Sequence, residues 1–403
     1  MDASTDVGMA PPADAGSDAP PDASTDGFGP QYLLVGVTRS PEGRSGYGTI
    51  VPSLDVGTEV SLETAVVLPG LGSLAMEAEP EGVFYVGLAE SPRIQRFEST
   101  PDLGVIMTGE FGLLAAGTPT GAGIMVIANA RRGFLFNVFT RNLIVFDPLE
   151  MLLIEEVEVD LGQPDEATPY YSNVALIDGE RIVITTLGVR RDISLTPHTR
   201  AVFVDIETAE VTYADYDGCG GLTSAVKDDA GNLYFGPILR HGSSLVTGTA
   251  GEPESPLCVL RIARGATRFD PELIDLFALS GGRPAGVLTQ GLGDTAFLLQ
   301  RRADAEPLTV DNIGEANLRE EWSYVSLDLR NPVALEPVPG LERVAGNGIS
   351  LLVREGDAAR PTSFLVRVAE DFSRSTVVDV TNPSEPVERF VTPGSASAVF
   401  RLR

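Results

Sequence analysis

The stretch GSLAMEAEPEGVFYVGLAESPRIQRFESTPDLGVIMTGEFG, from Gly72 to Gly112, decides the fold of this chain of 403 residues. Short runs rich in Val, Ile, Phe and Leu alternate in it with Gly, Pro and Asp, which is typical of strands joined by tight turns. The pattern predicts four antiparallel strands, at 73 to 77, 83 to 88, 93 to 98 and 104 to 109. One twisted sheet buries its faces only against neighbouring sheets, so a recurring unit of about 40 residues indicates a β-propeller.

The unit recurs along the chain with loops of different lengths, and no segment shows the apolar period of a long helix. Two incomplete pieces remain: residues 31 to 67 supply three strands, the last of them within VSLETAVVL, and SASAVFRLR is left at the C-terminus. We therefore expect an all-β, seven-bladed β-propeller, closed by the C-terminal strand joining the first blade. Six or eight blades are the alternatives if a long insertion is misread. The complete strand sets begin near Gly72, Ile124, Asn173, Leu222, Pro284 and Gly348.

The first residues have a different composition. Residues 1 to 29 consist largely of Asp, Ala, Pro, Ser and Gly, and such a segment cannot bury a core. It resembles the spacers that follow the lipidated cysteine of bacterial surface lipoproteins, in which case Met1 replaces a removed signal peptide and lipobox. An ordinary disordered N-terminus is the alternative. We expect a disordered tether at 1 to 29 and a single propeller domain at 30 to 403.

The charge of the chain limits its partners. Its 29 Lys and Arg against 57 Asp and Glu give a formal net charge of -28, which repels phosphate backbones and anionic lipid headgroups. We therefore expect no nucleic-acid partner, and membrane attachment only through a lipid anchor that this sequence lacks. No apolar stretch is long enough to span a bilayer.

Arginines collect in one class of predicted loop. The connections from the second to the third strand of a blade, and from the fourth strand to the next blade, emerge on one face of a propeller, which usually binds ligands. Lys227 is the only lysine, so the positive charge in these loops is guanidinium, which forms bidentate hydrogen bonds with oxyanions. We predict a ligand-binding ring that comprises Arg39, Arg44, Arg93, Arg141, Arg190, Arg191, Arg240, Arg301 and Arg302 with His198 and His241 in the first class of connection, and Arg283, Arg343, Tyr170 and Tyr171 in the second.

The stretch GVRRDISLTPHTR, residues 188 to 200, is the part of this ring with the most basic residues, and Arg200, Arg319 and Arg374 extend the series. An anion held by several guanidinium groups in a funnel with aromatic walls gains charge-assisted hydrogen bonds. The alternative is that these arginines are solvated and pair with carboxylates of the same loops, an arrangement that contributes little.

Catalytic signatures are missing from the sequence. There is no P-loop, dinucleotide fingerprint, G-x-S-x-G elbow or H-E-x-x-H motif. Glu77 is the only carboxylate in the predicted innermost strands, which argues against a metal site in the central tunnel but leaves catalysis in the loops open. We therefore predict no catalytic residue, no metal ligand and no cofactor. Trp322 is interpreted as packing between blades, with stacking on a ligand as the alternative.

Cys219 and Cys258 are the only cysteines, which excludes a cysteine-rich metal site. Both are expected near the same face of the fifth blade. In an exported protein a disulfide between them is favoured, with two buried free thiols as the alternative.

The segments EGVFYVGLAESPRIQRFE (81 to 98) and STVVDVTNPSEPVERFVTPG (375 to 394), inside a tethered seven-blade chain, resemble the propeller lipoproteins encoded with siderophore pathways. These include the lipoprotein that accompanies myxochelin biosynthesis in myxobacteria and those that Bacteroidetes use to capture ferric catecholate siderophores. The resemblance implies a non-enzymatic lipoprotein, anchored to the outer membrane at the cell surface or in the periplasm, that delivers an anionic ferric siderophore to a TonB-dependent transporter. A propeller lactonase or related hydrolase and a protein-binding scaffold are the alternatives.

Overall fold

The computed structural model describes residues 30–40, 43–68, 71–76, 82–191, 194–237, 257–309, 311–346, 350–355 and 360–403. The predicted tether, residues 1–29, lies outside them. Seven antiparallel sheets follow one another along the chain, which confirms the all-β, seven-bladed propeller. We number the blades in chain order, beginning with the blade that contains the first strand.

The strands have the following bounds. The first four are β1 (Tyr32–Ser40), β2 (Gly43–Val51), β3 (Thr58–Glu59) and β4 (Val66–Leu68). Blade 2 consists of β5 (Leu71–Met76), β6 (Val83–Leu88), β7 (Arg93–Ser99) and β8 (Val105–Gly112). Blade 3 consists of β9 (Gly123–Asn129), β10 (Arg132–Asn137), β11 (Leu143–Asp147) and β12 (Leu152–Val157). Blade 4 consists of β13 (Ala167–Asp178), β14 (Arg181–Arg190), β15 (His198–Asp205) and β16 (Val211–Asp217). Blade 5 consists of β17 (Leu222–Lys227), β18 (Leu233–Pro237), β19 (Cys258–Ile262) and β20 (Ile274–Asp275). Blade 6 consists of β21 (Ala285–Gln290), β22 (Thr295–Arg301), β23 (Trp322–Asp328) and β24 (Leu335–Pro337). Blade 7 consists of β25 (Ser350–Glu355), β26 (Arg360–Val368), β27 (Arg374–Asp379) and β28 (Val387–Pro393), and the last strand is β29 (Ser395–Arg401).

The first strands of blades 2 to 7 line the central axis, because each contacts the first strand of a neighbouring blade, and β29 takes the same inner position in blade 1. The later strands of each blade follow outwards in chain order. The connections between second and third strands therefore emerge on one face, here termed the upper face. Those between first and second strands emerge on the lower face.

Two pairings close the ring of blades. β29 pairs antiparallel with β1, from Tyr32 opposite Arg401 to Val37 opposite Ser395, so the predicted closure is confirmed. A second closure was not predicted: β3 pairs in parallel with β28, the outer strand of blade 7. The segment predicted as one strand, VSLETAVVL (60 to 68), forms a strand only in its last three residues, β4, because Ser61 and Leu62 accept hydrogen bonds that form a turn before it, and β3 precedes the segment.

Apolar clusters fill the spaces between blades, as the propeller requires. Blades 2 and 3 bury Ile94 and Phe146 between them, and blades 3 and 4 bury Phe136 and Ile184. Every such interface has its own cluster, and that of blade 1 is continuous with both of its neighbours. Because each sheet is covered on both faces, its strands are nearly continuous apolar runs.

Only short helical segments interrupt the strands in the described ranges. They are a 3-10 turn at Leu114–Ala116 and two helices, α1 (Leu276–Leu279) and α2 (Ile313–Ala316). α1 follows the two-residue β20, and the Asp275 carboxylate caps it by accepting the N–H of Ala278 at 2.9 Å. No helix in this part of the chain is long and apolar enough to cross a membrane.

Candidate functional site

A cavity of about 720 Å³ lies among the innermost strands of blades 1 to 4. Its lining is mostly apolar and includes Leu74, Ile124, Val138, Val174, Val399 and Phe400. None of the described residues that line it has an ionisable side chain. Val138 belongs to the connection between β10 and β11, so the cavity reaches towards the upper face. This apolar cavity is the first element of the candidate site.

Blade 4 rises above the upper face beside this cavity. β13 and β14 are the longest strands, with 12 and 10 residues. β14 pairs with β15 only over 181–185, whereas it pairs with β13 as far as Arg190. Residues 167–171 and 186–190 therefore form a ribbon, bordered by residues 194–196, which carries Tyr170 and Tyr171.

The connection between β10 and β11 is organised by one side chain. The Asn137 carboxamide oxygen accepts the backbone N–H groups of Phe139 and Thr140, both at 2.9 Å. This turn places Arg141 in the left-handed region, at φ 65°, which an arginine adopts only where its surroundings favour it. The Tyr171 hydroxyl donates to the Arg141 carbonyl at 2.6 Å and so joins the connection to the ribbon. Tyr171 is buried, and this burial raises the pKa of its hydroxyl above the usual range.

Two arginines near this junction have side chains with no partner among the described residues. No residue in the described ranges accepts a hydrogen bond from the guanidinium of Arg141 or of Arg191, which follows the ribbon strand β14. Arg190 differs, since its Nη2 lies 3.9 Å from the Glu166 carboxylate. Tyr170 is exposed on the ribbon. Arg141 and the two tyrosines thus lie on two joined elements that line the cavity, the β10–β11 connection and β13, and Arg191 follows the strand that pairs with β13.

Arginines of blade 6 are instead engaged by neighbouring groups. Arg301 is almost fully buried, and its Nη2 donates to the Glu321 carboxylate and to the Glu306 carbonyl, both at 2.6 Å. Its Nη1 has no hydrogen-bond partner in the described structure. The guanidinium lies 5.6 Å from the ring centroid of Trp322, which is itself buried, consistent with the packing role expected from the sequence. The indole N–H donates to the Ala316 carbonyl at 2.9 Å.

The remaining arginines of this sector make similar contacts. Arg302 binds the Asp304 carboxylate through two guanidinium nitrogens, and Arg343 binds the same carboxylate at 3.2 Å. Arg283 donates to the carbonyls of Ser280 and Arg301, at 3.0 and 3.2 Å. These side chains hold loops together.

His198 and Arg200 lie on the outer strands of blade 4, where carboxylates surround them. His198 Nδ1 lies 2.8 Å from Asp217 Oδ1. The Arg200 guanidinium binds Asp215 through Nε and Nη2, at 2.7 and 2.9 Å, and Asp160 through Nη1 at 2.7 Å. These bonds raise the pKa of Arg200 and lower that of Asp215. This part of GVRRDISLTPHTR is therefore a charge network on the blade wall.

A glycine makes room for this network. Gly162 has a φ of 65°, and a Cβ at that position would lie 2.3 Å from Cζ of Arg200. Tyr213 supports the same guanidinium, whose Cζ lies 5.0 Å from the ring centroid. Asp160, Asp215 and Tyr213 were not among the predicted site residues, because the pairing of β15 with β16 brings Asp215 and Tyr213 to Arg200, and the fold of the β12–β13 connection brings Asp160.

The other predicted residues are spread around the molecule. Arg93 binds Glu110 at 2.6 Å across the two outer strands of blade 2. Arg39 and Arg44 pair through their backbones in the hairpin of β1 and β2. Arg240 and His241 lie outside the described residues.

Cys219 and Cys258 form a disulfide that joins the entry to blade 5 with its third strand. The Cα atoms are 6.2 Å apart, and both cysteines are buried. In the ranges that the structure describes, no group of three or more His, Cys, Asp or Glu side chains is arranged to hold a metal ion.

Comparison with known proteins gives the fold. No protein-family model and no curated protein matches the sequence. Two similar solved structures are candidate 6-phosphogluconolactonases, from Bacteroides fragilis (11% identity, TM-score 0.55, covering 94% of this chain and 99% of that chain) and from Bacteroides uniformis (12%, 0.55, 92% and 98%). A hypothetical selenium-binding protein from Sulfolobus tokodaii is 9% identical, with a TM-score of 0.58 and 93% of each chain covered. At these identities the likeness shows a shared propeller fold alone.

Proposed function

We propose that this chain is a non-enzymatic ligand-binding propeller that captures an anionic ferric catecholate siderophore at the upper end of its central cavity. One observation carries the proposal: the apolar cavity is lined by the β10–β11 connection, which carries Arg141, and by β13, whose partner strand β14 ends just before Arg191. Neither guanidinium has an acceptor among the described residues. A ferric catecholate combines flat aromatic rings with net negative charge. Apolar walls suit the rings, and guanidinium groups suit the charged oxygens.

The proposal includes a location and a partner. The composition of residues 1 to 29 and the resemblance to siderophore-associated lipoproteins support an exported protein anchored to the outer membrane. Its partner would be a TonB-dependent transporter that accepts the loaded chelate.

A propeller lactonase is the principal alternative, since two structural neighbours have that candidate activity. Hydrolysis requires an acid or base within reach of the substrate. The cavity lining supplies none from the described residues, and His198, the one histidine in that part of the chain, is bound to Asp217 on the outer strands. These features favour binding over turnover.

The proposal is tested by titrating the purified chain with ferric catecholate complexes and following its tyrosine and tryptophan fluorescence. A solution of free tyrosine and tryptophan corrects for light absorbed by the chelate. We expect saturable binding that weakens with salt, because the attraction is partly electrostatic. A double variant, Arg141→Ala with Arg191→Ala, is expected to weaken binding by about tenfold or more, since one hydrogen bond to a charged group contributes about 1.5 kcal/mol.

Arg93→Ala is the matched control, because Arg93 belongs to the predicted ring but is paired with Glu110 on outer strands. It should bind the chelate as the unaltered chain does. Equal binding of a neutral hydroxamate chelate would contradict the charge-based proposal. Absence of any binding would favour the protein-binding scaffold, and turnover of lactones would favour the hydrolase.

A further inference from the structure

A second cavity, of about 660 Å³, opens between blades 5 and 6 on the lower side of the molecule. One wall is the turn between β17 and β18 together with residues 270–275 of blade 5. The other wall is the connection after β23 in blade 6, with Leu329, Arg330 and Pro332. This inter-blade cleft shares no lining residue with the central cavity. Its volume lies within the range of about 300 to 1,000 Å³ that is usual for small-molecule sites.

The cleft contains buried polar groups that link its two walls. The Tyr234 hydroxyl lies 3.2 Å from Asp228 Oδ2 in its own blade and donates to the Leu329 carbonyl, also at 3.2 Å, in the next blade. Burial, reinforced by the Asp228 carboxylate, raises the pKa of Tyr234 to about 12. The hydroxyl therefore stays protonated at neutral pH. These bonds hold the walls together, so the cleft is preformed.

The positive charges of the cleft are already neutralised. Arg261 lies over the Tyr234 ring, 5.9 Å from its centroid, and binds Asp270 at 3.0 Å. Arg330 binds Asp294, just outside the cleft, at 2.5 Å. An anionic ligand would have to displace one of these carboxylates.

Carboxylates outnumber guanidinium groups in the lining. Asp228, Asp270, Glu272 and Asp275 contribute four negative charges, against two positive charges from the arginines. No group in the described ranges donates a hydrogen bond to the Glu272 carboxylate, which is exposed to solvent. Apolar side chains of Leu273, Ile274, Leu279 and Leu329 lie in the same lining. The cleft thus combines an apolar surface with an unneutralised carboxylate.

We propose that the inter-blade cleft binds an organic cation, namely a primary amine carried on an apolar body, with Glu272 as the main partner of the ammonium group. The site is separate from the upper face and has the opposite charge preference, so it does not rest on the proposed chelate binding. The apolar body would lie against the leucines, where the burial of apolar surface drives association.

The test uses the full chain and three probes that share one phenylbutyl skeleton: phenylbutylamine, phenylbutanol and phenylbutyrate. Binding is measured by saturation-transfer NMR and calorimetry. We expect the amine to bind saturably, the alcohol at least threefold more weakly and the carboxylate weakest of all. Glu272→Gln should weaken amine binding two- to fivefold, as is typical of an exposed ion pair of about 0.5 to 1 kcal/mol, and leave alcohol binding unchanged.

Glu207→Gln is the matched control, since Glu207 is an exposed carboxylate in another lower-face turn, in blade 4. Ala230→Trp, in the exposed turn between β17 and β18, should fill the cleft and abolish binding of the amine and the alcohol. Equal binding of amine and alcohol, equal effects of the two glutamine variants, or full binding to a folded Ala230→Trp protein would each overturn the proposal. Ferric chelate titrations repeated with saturating amine should be unchanged, so the failure of one site is distinguishable from that of the other.

Discussion

The upper end of blade 6 and the junction of blades 3 and 4 both carry arginines in the same classes of connection, yet their guanidinium groups have different surroundings. In blade 6, Arg301 and Arg302 bind the carboxylates of Glu321 and Asp304. At the junction, Arg141 and Arg191 have no acceptor in the described structure. The number of arginines in a loop therefore does not show which of them can bind a ligand; the carboxylates that reach the loop decide it.

The difference has a local physical cause. The β22–β23 connection of blade 6 carries acidic residues near both of its ends, so Arg301 and Arg302 gain charge-assisted hydrogen bonds with Glu321 and Asp304 of the same connection. The connection between β10 and β11, residues 138–142, contains no acidic residue, and its turn is held by Asn137 instead. The predictions below test whether the first group is structural and the second is available for binding.

The largest change in the free energy of unfolding is expected for Arg301→Met. This substitution removes the hydrogen-bonded guanidinium from the Glu321 carboxylate, whose side chain is only 18% exposed, and leaves only the longer contact with Arg319 Nη1, at 3.8 Å. We expect the free energy of unfolding to fall by about 3 kcal/mol, the usual result of breaking a buried ion pair from one side. Urea denaturation followed by circular dichroism measures it.

Two further variants test whether burial of the ion pair causes this loss of stability. Arg343→Met removes an ion pair whose arginine side chain is 64% exposed, and should change the free energy by less than about 0.5 kcal/mol. Arg301→Met combined with Glu321→Gln should recover part of the loss, because no buried charge is then unpaired. Similar losses for Arg301→Met and Arg343→Met would show that burial does not separate structural from available arginines.

A smaller, pH-dependent loss of stability against unfolding is expected for Arg200→Gln, in the charge network on blade 4. The hydrogen bond from Arg200 lowers the pKa of Asp215 below its value in the unfolded chain, about 3.9. The resulting stability is present above that pH and is lost as the pH falls through the folded-state pKa. The variant should therefore be less stable than the unaltered chain at pH 7, and the difference should shrink at pH 3.

The control for this measurement is Arg191→Gln, because the Arg191 guanidinium has no acceptor among the described residues. Its effect on urea denaturation should be the same at both pH values. If the stability difference between Arg200→Gln and the unaltered chain were larger at pH 3 than at pH 7, the assigned role of Asp215 would be contradicted.

The smallest effect on stability is expected for Arg191→Ala. Since the side chain is exposed and its guanidinium is unpaired in the described structure, the free energy of unfolding should change by less than about 0.5 kcal/mol. Chelate affinity should fall nonetheless if the proposed function holds. A destabilised Arg191→Ala protein would place Arg191 with the structural arginines, and the contrast between the two regions would disappear.

Part of the candidate site could be predicted from the sequence. The innermost strands contain few carboxylates, and the cavity that they form is apolar. The pairing of Arg200 with Asp160 could not be predicted, because 40 residues and a blade boundary separate them. The inter-blade cleft was missed as well, since its walls come from turns of two different blades.

The sequence by itself determined the propeller, its seven blades and the closing strand, because strand and turn signals are local and one sheet of this size requires neighbours to bury its faces. It also concentrated arginines in the upper connections. Tertiary structure alone decided which of these arginines are neutralised and which are available, since an ion pair depends on atoms within about 4 Å of each other. Tertiary structure also decided the parallel pairing of β3 with β28, which joins the first and last parts of the chain.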